Sequence, residues 1–170
     1  MKLFLRLLFF VLLIATKSSH ATDVWSVGFN GAGPLKIGMR INDVNQLLHE
    51  IIAPPSVPGA DPSGRCFQTD ITSQKGMYLM FYDGVLVRID LAEPGMNTIS
   101  GIGVGDKESA VLHAYGARIK REPHAYVEGS YLRMFSADGK RGLTFEITDG
   151  KVSLYYVGTA DSVQLIEGCS

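Results

Sequence analysis

Phe81-Tyr82-Asp83-Gly84-Val85-Leu86-Val87 and Ile147-Thr148-Asp149-Gly150-Lys151-Val152-Ser153 share one pattern, 66 positions apart. In each, an alternating strand runs into Asp-Gly and a second strand leaves it. Asp and Gly both tolerate positive φ, so each pair predicts a tight antiparallel hairpin. In the first hairpin Met77, Leu79 and Phe81 alternate with Tyr78, Met80 and Tyr82, and Val85, Val87, Ile89 and Leu91 return. In the second, Leu143, Phe145 and Ile147 alternate with Thr144, Glu146 and Thr148, and Val152, Leu154 and Tyr156 return. A third strand is expected before each hairpin, around Cys66 to Ile71 and around Tyr131 to Ser136.

Upstream, Leu35-Lys36-Ile37-Gly38 corresponds to Ile102-Gly103-Val104-Gly105 at an offset of 67, and Val44 to Val111 at the same offset. Each glycine turn leads into a short helical pattern. Ile41, Val44, Leu47, Leu48 and Ile51 share one helical face, and Pro54-Pro55 stops that helix. In the second copy Val111, Ala114 and Tyr115 form a shorter stripe, with Asp106 as expected N-cap and Gly116 as C-terminal cap. Asn42 is the candidate cap of the first helix. Two copies make a duplicated unit, because a solenoid needs three or more. The expected fold is α+β: two tandem units, each a short helix on an antiparallel sheet of about three to four strands. The units are 22–95 and 96–170, joined as one compact domain.

The chain has 170 residues, a formal charge of -1 and two cysteines. Lys2 and Arg6, the apolar run Leu7 to Ala15 and Ser19-His20-Ala21 form a secretory signal peptide over residues 1–21. The apolar run is shorter than the ~20 residues that span a bilayer. The mature chain is expected to start at Thr22, with no stable membrane anchor. Loss of Lys2, Arg6 and Lys17 takes the formal charge from -1 to -4. A mildly acidic chain is not expected to bind nucleic acid. Export, to the periplasm or the medium, favours a Cys66–Cys169 disulfide across 103 positions.

The Gly-bearing turns, Ile37-Gly38-Met39 with Val44 and Val104-Gly105-Asp106 with Val111, resemble a small helix-plus-sheet unit of two exported groups. One is the β-lactamase inhibitor protein fold, with two tandem copies. The other is the small outer-membrane assembly lipoprotein fold, with one. The resemblance covers most of residues 33–157. It implies a tandem helix-sheet fold and a non-enzymatic inhibitor-like role. Gly101 to Gly105 and the ending Val163 to Cys169 also look like a group of uncharacterised exported bacterial proteins.

Signals for chemistry are sparse. There is no nucleophile elbow, zinc-binding H-E-x-x-H or Walker loop. Gly101-Ile102-Gly103-Val104-Gly105 lacks the dinucleotide spacing. No metal site and no cofactor are expected. His124-Ala125-Tyr126-Val127-Glu128-Gly129-Ser130-Tyr131 is the densest polar–aromatic stretch. His124, Tyr126 and Glu128 there are candidate binding-loop residues, and His124 with Glu128 is a candidate general acid/base pair. Strand positions expected to face away from the helices are Tyr78, Met80, Tyr82 and Leu86, then Tyr131, Arg133 and Tyr155. Aromatics with Met and Arg are enriched in interface cores. The expected role is an exported binding or inhibitor module that holds a protein or a cell-envelope component on this face. The alternatives are a small hydrolase or lyase, and a structural envelope protein.

Overall fold

The computed structural model describes residues 25–54 and 63–169. The signal peptide, the Thr22 start and most of the Pro54–Gly64 loop lie outside these residues. Eleven strands and two eight-residue helices are described: β1 (Ser26–Gly28), β2 (Gly31–Ala32), β3 (Leu35–Lys36), α1 (Ile41–Leu48), β4 (Cys66–Asp70), β5 (Met77–Tyr82), β6 (Val85–Leu91), β7 (Asn97–Thr98), α2 (Glu108–Tyr115), β8 (Lys120–Pro123), β9 (Gly129–Phe135), β10 (Arg141–Thr148) and β11 (Lys151–Thr159).

The expectation of two tandem helix-plus-sheet units, each with its own sheet of about three to four strands, is overturned. β4-β5-β6-β11-β10-β9-β8 form one antiparallel seven-stranded sheet, and β3-β2-β1-β7 a second, four-stranded sheet. The protein is mostly sheet. The cause is the pairing of β6 with β11, from Tyr155 opposite Leu91 to Gly158 opposite Arg88. That pairing joins the last strands of the two hairpins and removes the edge each would otherwise expose. Short segments such as Ser26–Gly28 carry no periodicity from which a second sheet could be read.

Both Asp-Gly pairs make the expected turns. Asp83 and Asp149 have φ 50 and 53, and Gly84 and Gly150 have φ 71 and 69. The chain entering each helix is tied to its hairpin by equivalent backbone bonds. Gly38 N donates to Leu86 O and Gly105 N to Val152 O, both at 2.8 Å, while Ile41 N reaches Gly84 O and Glu108 N reaches Gly150 O, both at 2.9 Å. Neither helix uses a capping side chain: the N-caps are Arg40 and Lys107. Asp106 instead accepts from Gly103 N at 2.8 Å and fixes the preceding turn. Of the expected α1 stripe only Val44 is buried, and Ile51 is 96% exposed.

The core lies between the large sheet and the helices. Val44, Val111 and Tyr115 pack with Met77, Leu79, Phe81, Leu86, Ile89, Leu143, Phe145, Val152 and Tyr155 in one cluster drawn from both halves of the chain. Two expected outward residues, Leu86 and Tyr155, are therefore inward. A β-bulge follows each Asp-Gly turn. Met80 and Phe81 oppose Arg88 and Leu86, leaving Val87 extra, and Glu146 and Ile147 oppose Leu154 and Val152, leaving Ser153 extra. One extra residue exchanges the two faces of a strand. Beyond the bulges, Leu154 and Tyr156 consequently turn outward.

Candidate functional site

The sheet face opposite the helices is polar, buried and crossed by the C-terminal segment. Register sets its rows. Tyr78, Asp90, Tyr156, Thr144, Arg133 and Lys120 lie side by side across β5, β6, β11, β10, β9 and β8. One row over stand Gln68, Met80, Arg88, Gly158, Gly142 and Phe135. On the other side Leu154, Glu146, Tyr131 and Glu122 are neighbours.

Charges in these rows are paired. Arg88 Nη2 lies 2.9 Å from Asp90 Oδ1, with both side chains 5% exposed. Arg88 Nε donates to Asp90 Oδ2 at 3.1 Å, and the guanidinium sits 4.4 Å from the Tyr156 ring centre. Burial pushes the Asp90 carboxyl above its ordinary value, against the opposing pull of Arg88. Arg133 Nε donates to Thr144 Oγ1 at 3.2 Å and its Nη1 pairs with Glu122. Hydrogen bonding from Lys120, helped by Arg133, holds Glu122 below its ordinary value.

The loop between β8 and β9 folds over one end of this layer. The His124 ring stacks on Tyr131 with centroids 4.5 Å apart, and its Nε2 lies 3.6 Å from Glu146 Oε2. Its Nδ1 accepts from Tyr126 N at 3.2 Å and Val127 N at 3.4 Å. Burial raises Glu146, partly offset by His124. The Tyr131 and Tyr156 hydroxyls are buried, and burial raises both phenols. Tyr126 is 63% exposed and its hydroxyl bonds Glu167, so the loop meets the C-terminal segment above the sheet.

That segment runs from Ala160 to Cys169. Arg88 holds Leu165 O at 2.7 Å, and a Cβ on Gly168 would touch the Gln68 side chain. Arg88, Met80 and Gln68 are consecutive in one row, so residues 165–168 cross Met80, which is 1% exposed. The Cys66–Cys169 disulfide closes the crossing, with Cα atoms 5.4 Å apart. Tyr78 and Tyr82 stand on either side of Met80 in β5 and stay uncovered, at 41% and 43% exposure. Arg65 lies 4.9 Å over the Tyr82 ring and pairs with Asp83. Leu165 and Ile166 on the crossing segment are also exposed.

The sequence-derived candidates therefore separate. Tyr78, Tyr82 and Tyr126 are exposed. Met80 is covered by the C-terminal segment, while Tyr131 and Arg133 belong to the buried polar layer. Leu86 and Tyr155 are in the helix-side core. Glu128 is exposed and lines a cleft of about 410 Å³ with Glu108, Arg121, Ser130 and Asp149, whereas the carboxylate beside His124 is Glu146. Arg88, Asp90, Glu146 and Tyr156 were missed, because a charged pair at alternating strand positions reads as solvated surface. Among the described residues no His, Cys, Asp and Glu group is arranged to hold a metal ion.

Comparison with protein families, characterised proteins and solved structures finds no match to this chain. The disulfide is consistent with an exported protein, and no helix among the described residues is long and apolar enough to cross a membrane.

Proposed function

We propose that this is an exported, non-enzymatic recognition module that binds a protein partner on the outer face of its large sheet. One observation carries the reading: Tyr78 and Tyr82 stay exposed on either side of a covalently closed crossing that itself exposes Leu165 and Ile166. Aromatic and aliphatic side chains beside an arginine are what interface cores are made of. The layer beneath is rigid, because its charges are paired and the crossing segment is bonded to it. Rigid anchors lose little conformational entropy on binding.

The His124 ring nitrogens already engage Glu146 and the loop backbone. That arrangement supports a positioning role for His124 in the loop that carries Tyr126.

The test is capture of the partner from the native envelope or culture fluid by the oxidised chain, followed by Tyr78→Ala/Tyr82→Ala. The double variant is expected to keep the wild-type circular dichroism and unfolding midpoint and to lose the captured protein. Undiminished capture by the folded variant overturns the proposal.

A further inference from the structure

Residues 160–169 lie on the sheet as a bound peptide would. Most of what holds them engages their main chain. Arg88, itself 4% exposed, donates from Nη1 to Ser162 O at 3.1 Å and to Leu165 O at 2.7 Å. Thr144 Oγ1 donates to Val163 O at 3.1 Å. Such bonds recognise any peptide backbone. Side-chain selection comes from a slot floored by glycine. Gly142 and Gly158 are cross-strand partners, and a Cβ on Gly142 would stand 2.2 Å from Val163 Cγ2. A Cβ on Gly158 would stand 2.5 Å from Ser162 Oγ, whose hydroxyl donates to Val87 O at 2.8 Å. Val163 is fully buried in the slot. Two glycines in adjacent central strands weaken the sheet locally; the Val163 side chain packed on Gly142, and Ser162 Oγ with Val87 O against Gly158, account for them.

We infer that this slot is a peptide-binding site, with the chain's own C-terminal segment as its resident occupant. Its ligand class is a peptide that forms one 3-10 turn, as Ser162–Gln164 does, with a small residue followed by a valine-sized one at the positions of Ser162 and Val163. The inference goes beyond the tyrosine surface and does not depend on it. While Cys66–Cys169 is closed, the resident segment is tethered at both ends and outcompetes any free peptide. A dithiol reductant opens it in two exchanges. A thiolate attacks one cysteine sulfur, the S–S bond breaks, and the departing sulfur takes a proton. The second thiol of the reductant then displaces the other cysteine, which also ends as a thiol. The reductant is oxidised to its disulfide and the Cys66–Cys169 pair gains two electrons and two protons. The segment is then held at one end and can exchange with a partner's peptide.

The probe is a fluorescent synthetic peptide with the sequence of residues 160–168. The receptor is the full chain carrying Cys66→Ser, Cys169→Ser and Val163→Asp, which expels the resident segment. Saturable binding is expected, at least about tenfold tighter than to the oxidised wild-type chain. Adding Gly142→Val fills the slot and is expected to abolish binding, whereas Leu112→Ala, exposed on the helix side, leaves it unchanged. No binding to a folded receptor, or equal binding to the Gly142→Val form, overturns the inference. If the receptor does not fold, hydrogen exchange on the reduced wild-type chain decides. Excess peptide should accelerate exchange in residues 161–168 alone, and unchanged exchange there refutes the slot.

Discussion

Replacing Arg88 with methionine tests the buried polar layer at its most connected point. Methionine keeps much of the side-chain length and removes the charge. Asp90, 5% exposed at the side chain, then keeps, among the described residues, only the Gln68 amide at 3.3 Å as a hydrogen-bond donor. Ser162 O and Leu165 O lose their charged donor as well. Orphaning one partner of a buried ion pair costs about 3–5 kcal/mol. Each lost hydrogen bond to a charged group is worth about 1.5–3 kcal/mol, but these losses share one side chain and do not add. The expected loss is therefore about 4 kcal/mol, dominated by the stranded carboxylate. Urea unfolding of the oxidised protein at neutral pH measures it, with an unchanged slope showing that the same surface unfolds. Arg88→Met/Asp90→Leu should recover most of the loss, because the charge that needed a partner is gone. A second signature is pH. Asp90 is already raised by burial, and losing Arg88 raises it further, so the folded variant binds the proton more tightly than the unfolded chain. Asp90's contribution in the variant should be full at acid pH, below the ordinary value of 3.8, and be lost as pH rises through the raised value, so the variant's deficit against wild type should shrink toward acid pH. A loss below about 1 kcal/mol, the range of an exposed pair, would refute the reasoning. So would a double variant no more stable than the single one.

Three further outcomes follow from the polar layer and from the helix-side core on the other face of the sheet. Cys66→Ser/Cys169→Ser should destabilise the chain by up to about 4.7 kcal/mol, the chain-entropy value for a loop of about 100 residues. The unfolding midpoint in urea checks it, and hydrogen exchange should show the extra opening concentrated in residues 161–169. Glu146→Gln should alter the pH dependence of stability. Burial raises this carboxyl, so its contribution is full below the ordinary value of 4.5 and is lost as pH climbs through the raised value. The variant should therefore gain on wild type as pH rises from acid to neutral, and unfolding curves that stay parallel across that range contradict the assignment. Tyr155→Phe should cost about 1 kcal/mol, for the hydrogen bond from its hydroxyl to Met96 O at 2.8 Å. Thermal unfolding reads that loss directly.

The hairpins were legible because Asp83-Gly84 and Asp149-Gly150 state their turn chemistry locally. The Cys66–Cys169 pair was legible because the first twenty-one residues read as an export signal and these two cysteines are the only ones in the chain. The single sheet was not. Pairing of β6 with β11 is a contact between segments more than sixty positions apart, and alternation within each strand does not name its neighbour. The inward turn of Leu86 and Tyr155 was hidden for another reason. Val87 and Ser153 are ordinary strand residues, yet each is the extra residue of a bulge that exchanges two faces. The crossing segment was the largest omission at the site. Val163 to Cys169 has no repeating pattern, and its fit is encoded in Gly142 and Gly158, far away in the chain. Without it, and without the β8–β9 loop whose His124 stacks on Tyr131, Met80, Arg133 and Tyr131 read as open surface. With it, the exposed set narrows to Tyr78, Tyr82 and Tyr126, with Leu165 and Ile166 from the segment itself.

Site-specific photocrosslinking in the native cell tests the recognition surface most directly. A photoreactive side chain is placed in turn at Tyr78, at Tyr82 and at Leu112, the last being exposed on the helix side of the molecule. The account predicts one discrete protein adduct shared by positions 78 and 82, and none from position 112. Adducts from position 112 with none from 78 and 82 would contradict it and move the partner to the opposite face.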